Sequence, residues 1–142
     1  MTTTIDMKLM RYINLFSKIS NVPTTKCSVY NDQIIFAVPE ALVSQAIGPG
    51  AINVRRMREV LGRKIRIVVM PSSLDNKQEI GKFIQEVVNP IEFNKIEING
   101  DEIVVSAGRQ SKAALIGRNR IREQELGNIV KNFLHIPKLR IA

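Results

Sequence analysis

The sequence predicts an α+β protein assembled from two copies of one small module. Each module is ordered α-β-β-α-α-β, with a three-stranded sheet covered by helices on one face. Three observations carry that prediction. The 142-residue chain is self-similar, because a shift of 69 residues brings the apolar positions of the first half onto those of the second. Within each half the apolar period changes from the three-and-four spacing of a helix to the alternation of a strand and back. Gly, Pro and Asn stand where the period changes. The repeat is clearest mid-module: Lys26-Cys27-Ser28-Val29 falls on Lys95-Ile96-Glu97-Ile98, Phe36 on Val105, and Ala46-Ile47-Gly48 on Leu115-Ile116-Gly117. Met57, Val60 and Leu61 fall on Leu126, Ile129 and Val130. The modules are assigned to residues 1–71 and 72–142, joined by a short connection at Pro71-Ser72-Ser73.

In the first module, Ile5, Leu9, Tyr12, Ile13 and Phe16 recur at steps of three or four, which predicts an amphipathic helix over 5–20. Cys27 and Val29 alternate, Asn31-Asp32 turns, and Ile34, Phe36 and Val38 alternate again, which is a hairpin. Residues 40–47 read as a short helix broken by Gly48-Pro49-Gly50. The next helix carries Val54, Met57, Val60 and Leu61 on one face, and Gly62 suits its left-handed C-terminus. Ile65, Ile67 and Val69 form the last strand, ended by Pro71. In the second module, Ser72, Ser73 or Asp75 is expected to cap a helix burying Ile80, Phe83, Ile84 and Val87. Asn89-Pro90 ends it, and a hairpin turns at Asn99-Gly100-Asp101. Ser111 is expected to cap a short helix reaching Ile116. After Gly117, a longer helix carries Leu126, Ile129, Val130 and Phe133, and Leu139 to Ile141 is the final strand.

Composition excludes several function classes. One cysteine (Cys27) and one histidine (His135) supply neither a disulfide framework nor a structural zinc site. Cys27 lies in a strand pattern and reads as a small buried hydrophobe, and His135 lies in the apolar stretch Phe133-Leu134-His135-Ile136. Met7, Met10 and Met57 read as core or half-buried filler. Asp101-Glu102 falls at a turn, where a carboxylate pair is solvated. No catalytic constellation stands out, so a binding protein is expected, with no enzyme activity, no cofactor, no metal and no small-molecule substrate. No apolar run approaches ~18 residues, so no membrane partner is expected. The start MTTTIDMKLM has no apolar core of a signal peptide, and a reducing cytoplasm is the expected compartment. The seven aromatics fall mostly on predicted core faces, unlike a surface that stacks bases on exposed rings.

Charge is the remaining signal. The chain carries 21 Lys+Arg against 13 Asp+Glu, a formal net charge of +8. Residues 48–66 hold Arg55, Arg56, Arg58, Arg63, Lys64 and Arg66 against Glu59, a net +5. Residues 109–122 hold Arg109, Lys112, Arg118, Arg120 and Arg122 with no acid, another +5. The rest of the chain is slightly acidic. A single basic cluster on a helix reads as a solvated face. Two clusters at equivalent positions, each at a helix–Gly–helix junction, point to a nucleic-acid backbone. Glycine there lets the chain approach a ligand closely, and the helix that follows presents amide N–H groups to an anion.

The pattern resembles the tandem KH domains of the transcription factor NusA. Ile47-Gly48-Pro49-Gly50-Ala51-Ile52-Asn53-Val54 is similar to that family's I-G-x-G-G-x-N-V stretch, and Val60-Leu61-Gly62-Arg63-Lys64-Ile65 to its helix-to-strand exit. Ala114-Leu115-Ile116-Gly117-Arg118-Asn119-Arg120 holds the same loop position in the second half. A helix leading each module is similar to the prokaryotic, type II, KH arrangement, and the resemblance covers essentially the whole chain. A chain of two KH modules alone looks like the archaeal form.

The resemblance implies binding of single-stranded RNA and regulation of transcription elongation or termination, with RNA polymerase or a transcription complex as protein partner. It implies RNA-binding residues at Gly48, Pro49, Gly50, Ala51, Asn53, Arg55, Arg56, Lys112, Gly117, Arg118, Asn119, Arg120 and Arg122. Loop amides would hold the sugar-phosphate backbone while bases rest in apolar grooves beside each loop. Neither loop keeps the complete G-x-x-G, since the fourth position is Ala51 in one and Arg120 in the other, and Pro49 replaces a common basic residue. Ala51 is a mild change if its φ is that of a right-handed helix. The second loop, with Arg118 and Arg120, has the stronger charge, and the first has the closer match and the arginine-rich following helix. The two are therefore expected to bind unequally. The alternatives are a ribosome-associated KH protein and a protein-interaction adaptor that has lost RNA binding.

Overall fold

Two sheets, each with its own helices, make up the computed structural model, which describes residues 7–142. The described residues divide into two compact units that part between Val69 and Met70. Ile5, the first apolar position of the leading helix, lies outside the described residues.

The first unit runs α1 (Met7–Ser20), β1 (Cys27–Tyr30), β2 (Gln33–Val38), α2 (Val43–Ile47), α3 (Ile52–Leu61) and β3 (Lys64–Val69), with a tight turn at Glu40–Leu42 leading into α2. Asn31 and Asp32 both have positive φ, 51° and 62°, which matches the twist of the strands they join. That turn sets the antiparallel register from Tyr30↔Gln33 to Cys27↔Phe36. β3 runs parallel to β2, from Gln33↔Lys64 to Val38↔Val69. A parallel pair needs a crossover, and α2, its loop and α3 supply it. Gly62 closes α3 in the left-handed conformation the sequence predicts (φ 69°, ψ 20°).

Tyr12, Phe16, Ala46 and Met57 from the helices meet Cys27, Ile34, Phe36 and Val38 from the sheet. The rings of Phe16 and Phe36 stack at 4.3 Å between centroids. Burying each such ring contributes about 1.5–3 kcal/mol. The buried Ser20 hydroxyl donates to Phe16 O at 2.7 Å and accepts from Val22 N–H at 3.1 Å, so the end of α1 leaves no orphan hydroxyl in the core. Met7 and Met10 are exposed, not filler, and Val60 is 56% exposed. The helical face of α3 that reaches the core is narrower than its apolar spacing predicts.

The second unit repeats the order with α4 (Lys77–Val88), β4 (Lys95–Asn99), β5 (Glu102–Ser106), α5 (Arg109–Ile116), α6 (Ile121–Leu134) and β6 (Lys138–Ile141). β4 and β5 are antiparallel, and β5 and β6 parallel, as in the first sheet. Ile80, Phe83, Ile84, Val87, Leu115, Leu126, Ile129, Val130 and Phe133 are buried, as their spacing predicts. The offset of 69 holds from the hairpin to the start of α6 and then fails. α6 has 14 residues where α3 has 10. The extra turn buries Phe133 and Leu134 and delays β6. His135 ends α6 exposed, with φ 60°.

The predicted caps shift. Asn76, not Ser72, Ser73 or Asp75, caps α4, its Oδ1 accepting from Glu79 N–H at 3.2 Å. Ser72 instead donates its N–H (3.0 Å) and hydroxyl (2.8 Å) to the Glu79 carboxylate. Those bonds, the backbone one first, hold the Glu79 carboxyl below its ordinary 4.5. Ser111 lies inside α5, which starts two residues earlier than its proposed cap, after Gly108. Among the described residues no helix is long and apolar enough to cross a membrane.

Candidate nucleic-acid interface

The two helix–Gly–helix junctions adopt one backbone conformation. Gly48 has φ 80° and ψ 164°, and Gly117 has φ 74° and ψ 172°. Gly50 (60°, 25°) matches Asn119 (55°, 28°), and Ala51 (60°, 30°) matches Arg120 (60°, 23°). Both fourth positions are thus left-handed, which corrects the mild reading of Ala51: a non-glycine residue there costs roughly 1–2 kcal/mol. Only glycine reaches the conformation of Gly48 and Gly117 at low cost.

Space gives a second reason for those two glycines. A Cβ on Gly48 would stand 2.8 Å from Asn53 Nδ2, and one on Gly117 would stand 2.6 Å from Arg122 Cγ. The residue five positions on crosses each glycine. Asn53 Nδ2 donates to Gln45 O at 3.1 Å, tying α3 back to the end of α2. Arg122 is half-buried and pairs with Glu125. The structure therefore directs these two predicted site residues along the protein. Arg55 lies over the first loop, its Nη2 4.0 Å from where a Gly50 Cβ would stand.

Many of the amides expected to face a phosphate close the turns. Gly48 N–H donates to Ser44 O, Ala51 N–H to Gly48 O and Ile52 N–H to Pro49 O. Gly117, Arg120 and Ile121 repeat the pattern with Ala113, Gly117 and Arg118. Pro49 has no N–H, whereas Arg118 brings both an amide and a guanidinium to the same place.

Charge is distributed otherwise than the predicted clusters imply. Among the described residues, Arg55, Arg56 and Arg58 on α3, and Arg63 and Lys64 beyond it, make no ion pair. Arg109, Lys112 and Arg118 are likewise exposed without an ion pair. Arg120 faces Glu123 at 3.7 Å, and Arg122 holds Glu125. A window ending at residue 122 omits these two acids, although their i+3 spacing from the arginines marks them in the sequence. The first loop and its arginine-bearing helix are therefore the more open cationic surface.

Beside the second loop lies an open cleft of about 640 Å³ between α6 and β6. Gln124, Asn128 and Lys131 line one side, Lys138 to Arg140 the other, and Glu102 and Glu123 add carboxylates. Only Pro137 and Leu139 are large apolar groups there, so this cleft is polar. Among the described residues no group of acids, histidine and cysteine is placed to hold a metal ion.

Comparison with known proteins follows the same lines. The chain is 26% identical over 133 residues to a Methanocaldococcus jannaschii protein named "Probable transcription termination protein NusA", covering 91% of this chain and 69% of that one. This chain resembles archaeal NusA. A Halococcus morrhuae protein of the same name is 24% identical over 122 residues, 84% of each chain. One from Methanococcus vannielii is 26% identical over 95 residues, 66% of this chain and 51% of that one. No protein-family model matches the chain. The crystal structure of APE1850 shares the fold, with a TM-score of 0.63 over 97% of this chain and 100% of that one, at 23% identity.

Proposed function

We propose that this chain is a single-stranded RNA-binding protein of two type II KH modules, residues 1–71 and 72–142, acting in transcription elongation or termination with RNA polymerase or a transcription complex as partner. The observation that carries this reading is the pair of loops, Gly48–Ala51 and Gly117–Arg120. They share one backbone conformation, each between two helices and each beside arginines. The likeness to archaeal proteins named for transcription termination supports the process. Arg55, Arg56, Lys112 and Arg118 neutralise phosphates, and Gly50, Asn119 and Arg120 form the loop tips. Gly48, Gly117, Asn53 and Arg122 keep the loops in shape. Binding of this kind weakens as salt rises, with a slope of about −0.7 per phosphate neutralised.

The test is fluorescence anisotropy of short single-stranded RNA at two salt concentrations, with duplex RNA and single-stranded DNA as controls. Gly50→Asp and Asn119→Asp put a carboxylate at each loop tip. A Cβ on Gly50 meets only Arg55 Nη2, at 4.0 Å, Asn119 already carries a side chain, and Asp tolerates the left-handed conformation. Saturable single-strand binding that weakens with salt and with either substitution is the expected result. Binding indifferent to both, or none that saturates, overturns the reading in favour of a protein-interaction adaptor.

A further inference from the structure

The repeat allows a position-by-position comparison of the two binding faces. Val54, Arg55, Arg56 and Arg58 on α3 stand where α6 has Glu123, Gln124, Glu125 and Gly127. Conversely, Ala51 and Asn53 stand where the second module has Arg120 and Arg122. Over equal stretches the first face, 48–58, carries +3 and the second, 117–127, carries +1. The cations of the first face lie on an exposed helix with no ion pair among the described residues. Two of the second face's three cations, Arg120 and Arg122, already face carboxylates. Glu123 also lines the cleft beside the loop, with Glu102 across from it.

We infer that Glu123 and Glu125 act as resident counter-anions of the second loop, so that the larger phosphate-driven share of RNA affinity resides in the first module. This rests on the RNA-binding reading above. An arriving phosphate at the second loop displaces a carboxylate and releases few counterions. At the first loop it meets unscreened guanidinium groups. Attenuation of this kind leaves the second module to contact its ligand through the polar groups of the cleft, Gln124 and Asn128, whose hydrogen bonds are little affected by salt.

The test compares salt slopes of single-stranded RNA binding by the full chain. Arg55→Gln/Arg56→Gln is expected to flatten the slope by about 1.4, two phosphates at about 0.7 each, and Arg120→Gln to change it by much less. Glu123→Gln/Glu125→Gln is expected to tighten binding and steepen the slope by up to about 1.4. Glu92→Gln removes an exposed carboxylate between α4 and β4, outside the lining of the cleft, and controls for a general charge effect. If Glu125→Gln fails to fold, Glu123→Gln and Arg120→Gln still separate the outcomes. A Glu123→Gln slope no different from that of Glu92→Gln, or Arg120→Gln flattening the slope as much as an arginine lost from α3, overturns the inference and leaves the RNA-binding reading intact. Absence of saturable binding by the unaltered chain overturns both.

Discussion

Replacing Gly48 or Gly117 by alanine tests whether the paired loops are built as described. At Gly48 the cost begins with a conformation that is nearly closed to other residues, about 1–3 kcal/mol. The new Cβ then displaces Asn53, which loses its hydrogen bond to Gln45 O, about 1 kcal/mol. Alanine recovers about 0.4–1 kcal/mol through the unfolded chain. The net loss for Gly48→Ala is roughly 2–3 kcal/mol. Gly117→Ala is worse, because its Cβ meets Arg122 Cβ at 3.0 Å and Arg122 N at 3.1 Å as well as Cγ. Those atoms move only with the start of α6, so overpacking adds about 1–3 kcal/mol in place of the lost hydrogen bond, and the loss is roughly 3–4 kcal/mol. Gly62→Ala is the control: it is left-handed too, yet nothing stands within 4 Å. It should cost only about 1 kcal/mol. The assay is urea unfolding followed by far-ultraviolet circular dichroism. At a slope of about 1–3 kcal/mol per molar, the loop variants should lower the midpoint by on the order of 1–3 M, ordered Gly117, Gly48, Gly62. A Gly48→Ala midpoint equal to that of Gly62→Ala would show that the crossing by Asn53 is not a constraint.

Two further outcomes follow from the same structure. Ala51→Gly relieves the left-handed strain of about 1–2 kcal/mol and gives back about 0.4–1 to the unfolded chain, so the urea midpoint should rise by an amount equivalent to roughly 0.5–1 kcal/mol; a fall would place Ala51 in another conformation. Glu79 has its folded-state pKa depressed, so the Ser72 clamp stabilises above the ordinary 4.5 and is lost as pH falls through the lower folded value. The melting-temperature gap between the unaltered chain and Glu79→Gln should be constant above about pH 5 and close below pH 4.5, and a gap that persists unchanged in strong acid would contradict this.

The repeat shows why some of the architecture was legible in the residues and some was not. Alternation in Ile34-Phe36-Val38 and helical spacing in Ile80, Phe83, Ile84 and Val87 report burial directly, because each period places its residues on one face. Asn31-Asp32 and Gly62 signal positive φ by residue type. Val60 satisfies the same spacing as Met57 yet stays exposed, because a short α3 offers only a narrow strip to its sheet. The cap of α4 passed to Asn76 among several adjacent polar residues of similar propensity, a choice made by where the chain enters the helix.

For the candidate site, the sequence by itself determined where the two loops lie, that each begins with a glycine, and that basic residues gather near both. These follow from residue type and spacing, which act locally. Tertiary structure decided the rest. It put Ala51 and Arg120 in the left-handed conformation, laid Asn53 and Arg122 across the glycines, and made the second cleft polar. Net charge is a sum over residues and can be counted along a chain. The charge available to a ligand depends on which groups already face one another, and that is settled only when the helices are folded and packed.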